Sequence, residues 1–100
     1  NLDDTDSETA DIYYFLGLAN HLLEKLDLAR EFYTKAENAY RAAFVKIDHD
    51  EIRQFYPKRI VQILEAHSIA AKDAELKDEV AEIDKRLAET KTEFAKYLEK

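Results

Sequence analysis

The chain contains no cysteine, no methionine and no tryptophan, and only one glycine and one proline in 100 residues. Without cysteine there can be no disulfide, no thiolate zinc site and no cysteine nucleophile, and the redox compartment is left open. With Gly17 and Pro57 alone there is too little turn chemistry for a fold of many strands and tight turns. No apolar run approaches the roughly 20 residues that span a bilayer. The acidic start at Asn1 lacks the basic region and apolar stretch of a signal peptide. These absences predict a soluble protein that does not insert into membranes, with a lean toward the cytoplasm. The lack of methionine, even at position 1, predicts a processed product or a segment of a longer chain.

What is abundant is Ala, Leu, Glu and Lys, the residues that lose least side-chain freedom on a helix. The net charge is −7 and unevenly placed: Asp3, Asp4, Asp6, Glu8, Asp11 and Glu24 fall before the first Lys or Arg, at position 25. Such a segment repels phosphate backbones and anionic lipid, and Lys58-Arg59 and Lys85-Arg86 are too small to compensate. No nucleic-acid partner is expected.

Thr5, Asp6, Ser7 and Glu8 fit a capping box, which starts a first helix. Ile12, Phe15, Leu16, Ala19, Leu22, Leu23 and Leu26 then recur at three-and-four spacing as its apolar face, widened by Tyr13, Tyr14 and Leu18. A helix apolar on more than one side is central in a bundle or covered by something else. Asp27 is placed to cap a second helix reaching Ile47, with Phe32, Tyr33, Tyr40 and Phe44 beside a row of alanines and with Glu31–Lys35 and Glu37–Arg41 pairs on its wet side. Residues 48–56 read as a connector of one helical turn. Pro57 suits the first turn of a third helix ending near Lys72. Asp73 would cap a fourth, whose Leu76, Val80, Ile83, Leu87, Thr90, Phe94 and Tyr97 form an unbroken heptad seam, for packing within the chain or for homodimerisation.

Tyr13, Leu16, Gly17, Ala29, Tyr33 and Ala36 stand at the separations of the tetratricopeptide repeat, and residues 10–43 resemble one such repeat of about 34 residues. The pattern departs at Asn20, where the family has an aromatic, and at Arg41–Ala43, where its helix-ending proline is missing, so the second helix should run long. With an insertion of about a dozen residues, Ile60, Ile63, Leu64, Leu76, Val80 and Ile83 give a degenerate second hairpin. The expected fold is all-α: antiparallel hairpins stacked right-handed, four helices in one domain, with hairpins at 1–47 and 57–100 and a long C-terminal capping helix.

The resemblance implies a protein–protein interaction or assembly module that grips a peptide or helix on a groove of the first helix. By position that groove holds Asp11, Tyr14, Phe15, Leu18, His21 and Leu22. Tyr14 and Leu18 stand where the subfamily that grips chaperone C-terminal carboxylates has Lys and Asn, so that specificity is not implied. The competing reading is structural, a C-terminal cap or homodimerising piece of a larger repeat protein. An enzyme or metal carrier ranks last. His21, His49 and His67 are far apart, none follows a glutamate by three residues as di-iron helix motifs require, and the 48–51 stretch lacks the glycine of a calcium loop. No catalytic residue, metal or cofactor is expected.

Overall fold

Helix α1 (Ser7–Leu22) begins where the Asp6 side chain accepts a 2.9 Å hydrogen bond from the Glu8 amide. Asp6 is therefore the N-cap, in place of the Thr5 read from the sequence, and its carboxylate sits beside the positive end of the helix. The computed structural model describes residues 5–98, and Asp3 and Asp4 of the acidic segment lie outside them. The other helices are α2 (Leu26–Lys46), α3 (Asp50–Arg53), α4 (Tyr56–Asp73), α5 (Lys77–Glu93) and α6 (Ala95–Leu98). The fold is all-α, and no strand occurs among the described residues. Among them no helix is long and apolar enough to cross a membrane.

Both hairpin turns are made the same way. After α1 the Glu24 amide donates to the His21 carbonyl and the Lys25 amide to Asn20; after α4 the Glu75 amide donates to Lys72 and the Leu76 amide to Ala71. Each is a Schellman turn, in which the residue after the helix cap takes a left-handed conformation. Here that residue is glutamate, with φ 60° at both Glu24 and Glu75. The assignments of Asp27 and Asp73 as N-caps are corrected accordingly. α2 starts one residue before Asp27, which pairs with Arg30 at 2.6 Å, and Asp73 closes α4. An L-residue in this region carries a steric penalty that glycine avoids. Glu24→Gly and Glu75→Gly should each raise stability by about 0.5–1 kcal/mol, read from the urea midpoint, whereas Glu24→Ala, which keeps the Cβ, should change little.

Residue n of the first hairpin corresponds to residue n + 51 of the second, as the paired turns at 24 and 75 set the register. The correspondence extends to the helix crossings. Gly17 lies under the Tyr33 ring so closely that an added Cβ would come within 2.6 Å of Cδ1 and Cε1. At the equivalent place Ser68 Oγ donates to Asp84 at 2.7 Å. Neighbouring helices run antiparallel within each hairpin and from α2 to α4, as the Tyr13–Phe32, Tyr33–His67, Tyr40–Tyr56 and Ser68–Asp84 contacts show. α1 with α4 and α2 with α5 run parallel. The result is a two-layer slab, α1 and α4 in one layer and α2 and α5 in the other, 18 Å through its thinnest Cα extent, consistent with helix axes about 8–10 Å apart.

The core lies along α2 and α4: Ala29, Tyr33, Ala36, Ala43, Ile60, Ile63, Leu64 and Ala70 are all fully or almost fully buried. Pro57 sits in the first turn of α4, and the connector holds the single turn α3. The heptad seam is used within the chain: Ile83, Thr90, Phe94 and Tyr97 are buried and Val80 and Leu87 half-buried. Its helix is interrupted: α5 ends at Glu93, and Phe94, outside helical geometry, meets Phe44 edge to face, ring centroids 4.9 Å apart.

Glu37 is not on a wet face. It is 2% exposed, and its carboxylate takes Arg41 Nε at 2.9 Å and Arg86 Nη2 at 3.3 Å. With Arg30–Glu79 at 2.7 Å and Arg41–Thr90 at 2.7 Å it forms a polar ladder joining α2 to α5. Glu31–Lys35, at 3.8 Å, does lie on the surface.

Candidate functional site

Helix α1 places its apolar stripe outward. Leu22 is 85%, Leu23 66%, Phe15 59% and Ile12 44% exposed, with Leu16 and Ala19 exposed between them. Toward α2 the helix turns Ala10 and Gly17, both buried, and Tyr13, Tyr14 and Leu18, half-buried. The stripe read from the sequence as an apolar face lies opposite the side that packs on α2. A glycine does the packing at the crossing because the large Tyr33 ring needs the room that Gly17 leaves.

The six expected groove residues are divided by this arrangement. Phe15 and Leu22 belong to the outward stripe. Tyr14 packs on Tyr33, centroids 6.2 Å apart, with the Arg59 guanidinium 5.2 Å from its own ring. Leu18 lies against the core. His21 bridges the helices, Nε2 lying 2.8 Å from Asp73 Oδ2 and Nδ1 3.3 Å from the Tyr33 hydroxyl. Burial pushes the Tyr33 hydroxyl up to about 12, so it stays protonated and can donate to the imidazole. Asp11, half-exposed, lies 4.0 Å from Arg59. Tyr14, Leu18 and His21 are half-buried and engaged with neighbouring residues, while Phe15 and Leu22 stand open. Ile12, Leu16, Ala19 and Leu23 lie on the exposed surface with them.

The rim of the stripe is acidic. Glu8 and Asp11 flank its N-terminal end and Glu24 follows its C-terminal end. Among the described residues no group of three or more His, Asp or Glu side chains is placed to hold a metal ion.

His67 is buried, with Nε2 3.3 Å from Glu79 Oε2 and its ring against Tyr33. Burial pulls its pKa below the ordinary value of 6.5, outweighing the attraction of Glu79. The Arg30 hydrogen bond holds the Glu79 carboxyl below 4.5. Above pH 6.5 His67 is neutral in both folded and unfolded chains and contributes no pH dependence. Below it the unfolded chain takes up a proton that the fold resists, so stability falls with pH until the lowered folded value is passed. Glu79 adds its own loss only when pH drops through its depressed value. His67→Gln should flatten the decline in unfolding free energy between about pH 6.5 and 4.5, measured by urea titration at each pH.

Comparison with known proteins returns no match to a family model, a curated protein or a solved structure.

Proposed function

We propose that this chain is a protein–protein interaction or assembly module, akin to the tetratricopeptide-repeat class, whose contact surface is the outward face of α1. The observation that carries the reading is the run Ile12, Phe15, Leu16, Ala19, Leu22 and Leu23, exposed on a helix whose opposite side packs. Exposed apolar runs of this kind mark association surfaces, and leucine and phenylalanine side chains near the centre of such a surface supply most of its binding energy. The acidic rim turns the surface away from nucleic acid and anionic lipid. The reading includes no catalysis. The buried or half-buried charged groups Arg30, Glu37, Arg41, Glu79 and Arg86 are engaged with one another across α2 and α5.

A second reading, a terminal cap in a larger helical stack, is favoured by one contrast. The outer side of α5 presents Ala81, Glu82, Lys85, Ala88 and Glu89, all exposed and none a large apolar residue. One end of the slab is therefore polar and the other apolar.

The test is photocross-linking of the full chain carrying a photoreactive phenylalanine at position 22, with position 85 as the control, in an extract of its source cells. The expected result is a discrete protein adduct from position 22 that position 85 does not give and that Phe15→Ser abolishes. Equal labelling from both positions, or none above background, removes the reading. Phe15→Ser itself should alter stability by no more than about 0.5 kcal/mol, because its ring is largely in solvent.

A further inference from the structure

The internal correspondence supplies what the exposed face of α1 lacks, a view of the same face when covered. Adding 51 to Ile12, Phe15, Leu16 and Ala19 gives Ile63, Ala66, His67 and Ala70 on α4, of which Ile63, His67 and Ala70 are buried and Ala66 half-buried. α4 turns Ser68 toward α5, where it meets Asp84, as α1 turns Gly17 toward Tyr33 of α2. Its other side, the one equivalent to the open face of α1, receives α2: Tyr33 lies on His67 and Tyr40 on Tyr56. α2 runs antiparallel to α4.

Building on the interaction reading above, we infer that the outward face of α1 is the seat of one amphipathic helix from another protein, lying antiparallel to α1 as α2 lies on α4, with Lys or Arg in its C-terminal turns. The orientation follows from the correspondence. The charge follows from α1, because the C-terminal turns of an antiparallel helix come to rest beside Glu8 and Asp11, on a segment where no Lys or Arg precedes position 25. Basic residues there also suit the helix's own negative end.

A second copy of this chain fits less well. Two α1 faces brought together antiparallel set Glu8 and Asp11 of one toward Glu24 of the other, like charges relieved in part by Arg59 beside Asp11 and Lys25 beside Glu24. On α5, Asp84 and Lys91 stand where α2 has Tyr33 and Tyr40, the two rings it lays on α4.

The experiment uses the full chain, isotope-labelled for NMR, and three synthetic helices of about four turns with one Leu/Ala stripe: one with Lys in the last two turns, one with Glu there, and one with Lys moved to the first two turns. The first peptide should shift the resonances of Phe15, Ala19, Leu22 and Leu23 and bind at least about tenfold tighter than the other two at low salt, an advantage that shrinks at high salt. Phe15→Ser with Leu22→Ser should weaken it at least about tenfold. Equal binding of all three peptides, or shifts centred away from α1, overturns the assigned orientation and charge while leaving α1 as an interaction face. A concentration-dependent dimer in sedimentation equilibrium, abolished by the same double substitution, assigns the face to a second copy and overturns the inference without touching that reading. If no peptide binds and the chain stays monomeric, the helix seat is overturned, and the photocross-linking result alone decides whether the face binds anything.

Discussion

Tyr33→Ala is expected to lower the unfolding free energy by about 3–5 kcal/mol, the largest loss from any single truncation in this fold. Tyr33 is fully buried and stands where three helices meet. Its ring covers Gly17 of α1, touches Tyr14 and His21 on the same helix, and lies against His67 of α4. Removing it leaves a cavity that Gly17 cannot fill, since glycine has no side chain to move inward. A domain of 100 residues has only about 5–15 kcal/mol of stability, so the variant should be partly unfolded at 37 °C. Tyr33→Phe keeps the ring and loses only the hydroxyl contact with His21, at a cost of about 1 kcal/mol. Urea denaturation followed by circular dichroism distinguishes the two. A loss below about 1 kcal/mol for Tyr33→Ala would mean that the hairpin contact does not depend on this wedge.

Glu37→Ala should cost about 2–3 kcal/mol. The carboxylate is almost completely buried and neutralises two guanidinium groups, Arg41 and Arg86, so truncation leaves both facing each other without an anion. The penalty stays below that of a fully enclosed pair because the arginine side chains keep 29% and 38% of their exposure and can take up water. Arg86→Leu combined with Glu37→Leu should recover part of the loss, because it removes the desolvation penalty of two of the three charges and leaves Arg41 with Thr90 and Glu93. A double-mutant cycle on unfolding free energies measures the coupling; strict additivity of the two changes would refute it.

Much of the architecture was legible along the chain. Pro57 located the start of α4, the missing helix-ending proline announced the length of α2, and the alternation from Leu76 to Tyr97 marked a seam, open between internal packing and homodimerisation, of which Ile83, Thr90, Phe94 and Tyr97 are buried and Leu76 is exposed. The turns were not legible. Their left-handed position is filled by Glu24 and Glu75, where a glycine would have marked it, and the nearby aspartates drew the caps to the wrong residues. The internal repetition was blurred for a similar reason. A shape-based contact, Gly17 with Tyr33, is replaced in the second hairpin by a hydrogen bond, Ser68 with Asp84, so the same geometry carries different chemistry. Glu37 with Arg41 has the spacing of a surface pair, and only the arrival of Arg86 from α5 makes it a buried one.

The candidate site was half legible. The apolar stripe of α1 was found correctly as a stripe, but periodicity reports which residues share a face and not which face meets the core. The usual assumption sends the more apolar side inward. Here the inward side is chosen by fit to Tyr33, which demands small residues, and the larger aliphatic side chains are left outside.

Because α1 buries only Thr9, Ala10 and Gly17 completely, whereas α4 buries nine residues, the two parallel helices do not share one fate when the molecule fluctuates. If α1 opens from α2 ahead of the α2–α4–α5 core, its amide protons should exchange through a sub-global opening of lower free energy than complete unfolding, which residue-resolved hydrogen exchange would read. A helix seated on its outer face would suppress that opening in proportion to its affinity and bring α1 into the same cooperative unit as the rest of the slab.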